Sequence, residues 1–219
     1  ASNAEQYDNF GRAVAIDGDT IVVGCEEEAS ATSGINGDEL DNSLPYAGAA
    51  YVFVRSGSTW SQQAYLKSTY TTGDNHFGVS VDISGENIVV GATHEKSKAI
   101  GVGGDQTDTS VITAGAVFRF ARTNGEWTQS AYLKSSNTQW ADRFGIAVAI
   151  DGDTVFAGAS GEDSGSGSIN GDQSDNSVTS AGAAYGFDLN SPCGVTQYGT
   201  NTGANYADLN MFTAPIVNQ

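Results

Sequence analysis

The sequence predicts an all-β fold built from blades of four antiparallel strands, and three observations carry that prediction. The chain repeats with a period of 67 residues: Phe10-Gly11, Phe77-Gly78 and Phe144-Gly145 share that spacing, as do Gly48, Gly115 and Gly182. Gly37-Asp38, Gly104-Asp105 and Gly171-Asp172 keep it too, so no insertion separates the copies. Within each period the apolar residues alternate with period two, the mark of a strand with one buried face, and never with the spacing of a helix. Finally, 28 glycines against 3 prolines, among many Ser, Thr, Asn and Asp, set tight turns between those runs.

Taken in order, the first strand centres on Val14 and Ile16 and reaches the tight turn Asp17-Gly18-Asp19-Thr20. The second is Ile21-Val22-Val23-Gly24, followed by a long loop. The third runs from Gly48 to Val54, and the polar turn Ser56-Gly57-Ser58 leads into a fourth, Trp60 to Lys67. The second copy repeats this through Ile88-Val89-Val90, Gly115-Ala116-Val117-Phe118 and Trp127 to Lys134. Four strands per repeat without a helix is the pattern of a β-propeller blade. The small residues Ala47-Gly48-Ala49, recurring as Ala114-Gly115-Ala116 and Ala181-Gly182-Ala183, suit a place where backbones crowd together. Blades are expected at about 10–76, 77–143 and 144–187. In the tail, 188–219, the period breaks: Tyr206-Ala207-Asp208-Leu209 is either a displaced fourth strand or the opening of a different domain.

The Phe-Gly opening, the second strand Val89-Val90-Gly91-Ala92 and the third strand Gly48-Ala49-Ala50-Tyr51-Val52-Phe53 resemble the FG-GAP repeat family, in the variant common in bacterial surface and secreted proteins. The same repeats build the propeller of the integrin alpha subunit. The resemblance implies a propeller and a binding or adhesion role. It does not carry over the integrin calcium loop, because Asp17-Gly18-Asp19, Ser84-Gly85-Glu86 and Asp151-Gly152-Asp153 are too short to wrap a cation that takes 6–8 oxygens.

Propellers close with four to eight blades, so three repeats form a partial propeller or part of a ring completed by oligomerisation. An open blade face of about 500 Å² forgoes roughly 12 kcal/mol of burial, so something is expected to cover it. A homodimer would complete a six-bladed ring; further repeats of a longer parent chain would serve equally. Ala1-Ser2-Asn3 aligns with Ser135-Ser136-Asn137 at the end of a fourth strand, which favours the longer parent.

With 26 acidic and 9 basic residues the net charge is −17, which excludes a nucleic-acid binder and disfavours an anionic membrane surface. No apolar run is long enough to span a bilayer as a helix. Cys25 and Cys193 form neither a disulfide framework nor a zinc motif.

The loop between the second and third strands holds the candidate site. Three carboxylate registers recur: Glu28, Glu95 and Glu162; Asp38, Asp105 and Asp172; and Asp41, Asp108 and Asp175. Asn36 and Asn170 precede two of the Asp residues, with Gly103 in the middle copy. Oxygen donors in a Gly-rich loop suit a hard cation such as Ca²⁺, for which these carboxylates and both Asn residues are the candidate ligands. The competing reading is that they cap backbone N–H groups of an irregular loop.

Catalysis finds little support. His76 and His94 occur in the middle copy alone and read as surface residues, and adjacent acids such as Glu162-Asp163 read as solvated. Trp60 with Tyr65, and Trp127 with Tyr132, read as packing residues ahead of sugar-stacking ones, and Cys25 as a small core residue. The expectation is a non-enzymatic, extracellular or cell-surface module that binds a protein or glycan. The alternatives are a structural scaffold within a larger surface protein, or the non-catalytic part of a secreted enzyme.

Overall fold

The computed structural model describes residues 1–3 and 5–190, together with the backbone of 209–213. Among the described residues twelve strands fall into three antiparallel sheets in chain order. The first holds β1 (Phe10–Asp17), β2 (Thr20–Cys25), β3 (Ala49–Ser56) and β4 (Thr59–Leu66). The second holds β5 (Phe77–Ser84), β6 (Asn87–Ala92), β7 (Ala116–Thr123) and β8 (Glu126–Leu133). The third holds β9 (Phe144–Asp151), β10 (Thr154–Ala159), β11 (Ala183–Asp188) and β12 (Leu209–Thr213), with β12 beside β11. Of Tyr206-Ala207-Asp208-Leu209, only Leu209 lies within the described residues, and Cys193 lies outside them.

The strands form where alternation and turn chemistry agree. Gly18, Gly85 and Gly152 sit first in two-residue β1–β2-type turns with φ +55, +57 and +58, a backbone that disfavours any side chain. Asn124-Gly125 joins β7 to β8 with φ +54 and +86, the pair of left-handed residues that a type I′ hairpin requires. Several strand limits differ from the sequence reading by one or two residues: β2 takes in Thr20 and Cys25, β3 runs on to Ser56, and β4 starts at Thr59. Gly48 precedes β3 because it bridges to the next blade, and Lys67 leaves β4 to reach into the loop.

The blades stack face to face along the chain, β5 on β1 and β2, β9 on β5 and β6, as an open arc. The Phe-Gly and Gly-Ala motifs make the seams. Phe77 N–H donates to Ala47 O at 3.2 Å, and Phe144 N–H to Ala114 O at 3.0 Å. Short parallel bridges tie Gly48 to Phe77 and Gly115 to Phe144. At the seam the backbones leave no room for a Cβ. One on Gly24 would overlap the carbonyl of Gly78, and one on Gly91 that of Gly145. Each Phe ring then turns onto the third strand of its own blade, as Phe77 does at 5.4 Å from Phe118 and 6.1 Å from Phe120. Inner turns are stitched as well: Gly85 N–H donates to Asp17 Oδ2 (2.6 Å), and Gly152 N–H to Ser84 Oγ (3.0 Å).

At the two ends of the arc the same residues stand open. Val14 and Ile16 on β1 are each 62% exposed, whereas Val81 and Ile83, one period later, are 8% and 6% exposed under the first blade. Phe10 and Trp60 are exposed in the same way, while Phe77, Phe144 and Trp127 are buried. At the other end Ile146, Gly158, Ala159 and Gly182 border an open groove of about 320 Å³.

Candidate functional site

Antiparallel order puts the long β2–β3, β6–β7 and β10–β11 loops at one end of the sheets, with the links between blades, and the tight turns at the other. The loops are pinned to those links: Gly34 N–H donates to Ser68 O (2.9 Å), Asn36 N–H to Tyr65 O (2.8 Å) and Lys67 N–H back to Gly34 O (2.9 Å). Asn36 and Asn170 adopt φ +55 and +56, and Gly103, their counterpart, +74. That left-handed backbone explains why Asn or Gly stands there.

The three carboxylate registers do different work. Glu28 is buried and pairs with Lys67, whose Nζ lies 2.9 Å from Glu28 Oε2 and also donates to Ser30 O at 2.6 Å. The other oxygen of Glu28 accepts Ser30 N–H at 3.1 Å. Glu95 repeats this with Lys134 (2.7 Å) and Ser97 N–H (3.0 Å). Burial pulls both lysines below the usual ammonium range, and their glutamates pull the other way. Glu162 takes Asn137 Nδ2–H and Ser164 N–H, both at 2.9 Å, and burial pushes its carboxyl upward. The period puts Asn201 at its lysine position, outside the described residues.

Asp38, Asp105 and Asp172 each close a local turn, accepting the N–H of Leu40 (3.0 Å), Thr107 (2.8 Å) and Ser174 (2.9 Å). Asp41, Asp108 and Asp175 accept Ser43, Ser110 and Ser177 N–H. Asp41 and Asp108 also span the loop to the N–H of Ala31 (2.8 Å) and Lys98 (3.0 Å). These backbone donors hold both carboxyls below the usual range. Asn36 Oδ1 accepts Tyr65 N–H at 2.9 Å. Among the described residues no three His, Cys, Asp or Glu side chains converge on a point where an ion could sit. The middle loop borders an open hollow of about 470 Å³ between Ser97, Ile100, Gly104 and Asp108.

Several features escape the sequence reading. Lys67 and Lys134 share a register, but the acid each one meets lies 39 residues earlier. The histidines are a half-buried pair at the first seam and not separate surface residues: the rings lie 4.4 Å apart, and His76 stacks on Tyr46. Burial lowers the His94 pKa. Trp127 serves packing, its Nε1–H donating to Gln63 Oε1 of the preceding blade at 2.9 Å, with Arg122 over its ring. Cys25 is fully buried, and burial pushes its thiol up to about 12, so it stays protonated.

Asp142, under the third loop, is raised to about 6 by burial against the lowering pull of Gln139 N–H. The register repeats as Asp8, Asn75 and Asp142, so the second copy shows that a neutral amide fits there. A carboxyl whose folded pKa lies above its unfolded value stabilises fully below the ordinary range, and that contribution disappears as pH rises through about 6. Asp142→Asn is therefore expected to raise the melting temperature at pH 7 to 8 and to match the parent near pH 4. Thermal scans across that interval check it, and an equal offset at every pH would refute it.

No curated protein matches the chain. A family model described as FG-GAP repeat matches residues 1–53, 60–117 and 127–187. Each later match begins in the fourth strand of one sheet and continues through the first strands of the next, so the sequence unit is offset by one strand from the structural blade. With the Phe-Gly strands seated on Gly-Ala corners at both seams, the chain belongs to the FG-GAP repeat family, as an open arc of propeller blades.

Proposed function

We propose that the chain is a non-enzymatic, extracellular or cell-surface module that binds a protein or glycan through its loop end. One observation carries the reading: the long loops expose Leu40, Ile100, Ile112 and Ile169 beside their carboxylates, on a base fixed in the first two loops by buried lysine–glutamate pairs and in the third by Asn137 on Glu162. Contact residues on loops held by a rigid scaffold are the usual form of a binding surface. The test is binding of the purified chain to a glycan array and to immobilised surface proteins. Leu40→Ser, Ile100→Ser and Ile169→Ser together are expected to weaken any such binding at least about tenfold. Asp19→Ser at the turn end leaves it unchanged. Equal loss from both ends, or no binding at all, would favour a scaffold role, a reading supported by the open blade faces.

Calcium would have to compete with backbone amides already bound to Asp38, Asp41, Asp105 and Asp108. Loops closed by their own hydrogen bonds do not need a cation to hold their shape. The expected outcome of adding about 2 mM Ca²⁺, enough for weak extracellular sites, is an unchanged melting temperature. A rise of several degrees would establish a calcium site in these loops.

A further inference from the structure

The two ends of the arc are the two halves of one seam, and we propose that a second copy of this chain joins them head to tail, closing a six-bladed ring. The chain shows twice what the groove at Gly158 and Gly182 receives. At the equivalent places Gly24 and Gly48 lie against Gly78 and Phe77, and Gly91 and Gly115 lie against Gly145 and Phe144. At the third place nothing among the described residues comes nearer than 3.7 Å to a Cβ built on Gly158 or Gly182.

The missing half is on the opposite end. Gly11 has φ +95, matching +92 at Gly78 and +88 at Gly145, so the strand is already shaped for insertion, yet a Cβ there would meet nothing within 4 Å. Phe10, Val14, Ile16 and Trp60 stand exposed where their counterparts in the second blade are buried. Asp151, at the rim of the third blade, holds the register of Asp17 and can take the N–H of Gly18 from the other copy, as Asp17 takes that of Gly85. A head-to-tail contact closes only if its rotation returns to the start, and twice three blades falls within the range of closed propellers. Each chain carries −17, so the pair tightens as salt screens the repulsion.

Gly158→Ala separates docking from folding, because the added methyl meets only ordinary contacts in the single chain but fills the place of an incoming carbonyl. Ile16→Asp tests the other half on a side chain that is already exposed. Sedimentation of the full chain from about 1 to 100 µM, at low and high salt, is the measurement. The expected result is twice the 22.6 kDa chain mass for the parent, a single-chain mass for each variant, and unfolding curves showing both variants folded. A parent that stays single throughout would overturn the proposal and assign the open ends to further repeats of a longer chain. So would pairing that survives both variants, or a mass that climbs past two copies with concentration.

Discussion

Gly91→Ala is expected to destabilise the chain by about 3 kcal/mol, at the upper end of overpacking costs. For a chain of this size that is a fall in melting temperature of about 6–12 °C. The methyl would enter the carbonyl of Gly145 on the neighbouring blade, and it would also crowd Ser80 Oγ, which donates to that carbonyl at 2.7 Å. Ser80 can rotate away only by giving up that hydrogen bond, and the carbonyl is backbone and cannot, so relief requires the second and third blades to part. Gly158→Ala, compared at a concentration low enough that every chain is single, is the internal control, since the same register within one chain has open space there. Thermal unfolding of the two variants side by side checks the claim. Equal melting temperatures would mean that the seam yields without cost and that close backbone approach is not what selects glycine.

Lys134→Met is expected to cost about 3–5 kcal/mol, the range for removing one partner of a buried ion pair. Its Nζ and the facing oxygen of Glu95 are both shut away from water, and the other Glu95 oxygen already holds Ser97 N–H. Without the ammonium, the buried Glu95 carboxylate loses the cation it pairs with while staying shut away from water. Adding Glu95→Gln keeps an acceptor for Ser97 and should restore much of the loss at pH 7. Denaturant unfolding of both single variants and the double variant reads this out. Single variants that lose as little as an exposed pair, with nothing regained in the double, would show that the pair is not desolvated.

The fold was legible because every copy states it again. The 67-residue period, the alternation in Val14 to Ile16 and Ile21 to Gly24, and turn glycines such as Gly18 act between residues close in sequence. The seams were legible only as crowding. That Phe77 docks on Ala47 and Gly48 depends on how two sheets stack, which no local pattern encodes. The acidic loops were legible as registers but not as roles. Asp38 and Asp41 act within their own loop, as short-range turn chemistry allows, whereas Glu28 meets a lysine from the far end of its blade. The histidine pair has a local cause that the repeat pattern does not display: Phe77 pairs with Ala92 across the β5–β6 hairpin, which brings the flanking His76 and His94 together.

The one-strand offset between sequence unit and blade bears on how such chains change in length. A stretch of 67 residues cut out between two equivalent points removes the last strand of one sheet and the first three of the next. The flanking pieces then supply each other's missing strands, and every remaining sheet is whole. Duplication works in the same way, since each new corner meets a Phe-Gly strand cut to the same pattern. Unequal recombination within the coding sequence can therefore add or delete blades one at a time without creating a faulty junction. Blade number is free to drift while the fold of each blade stays fixed.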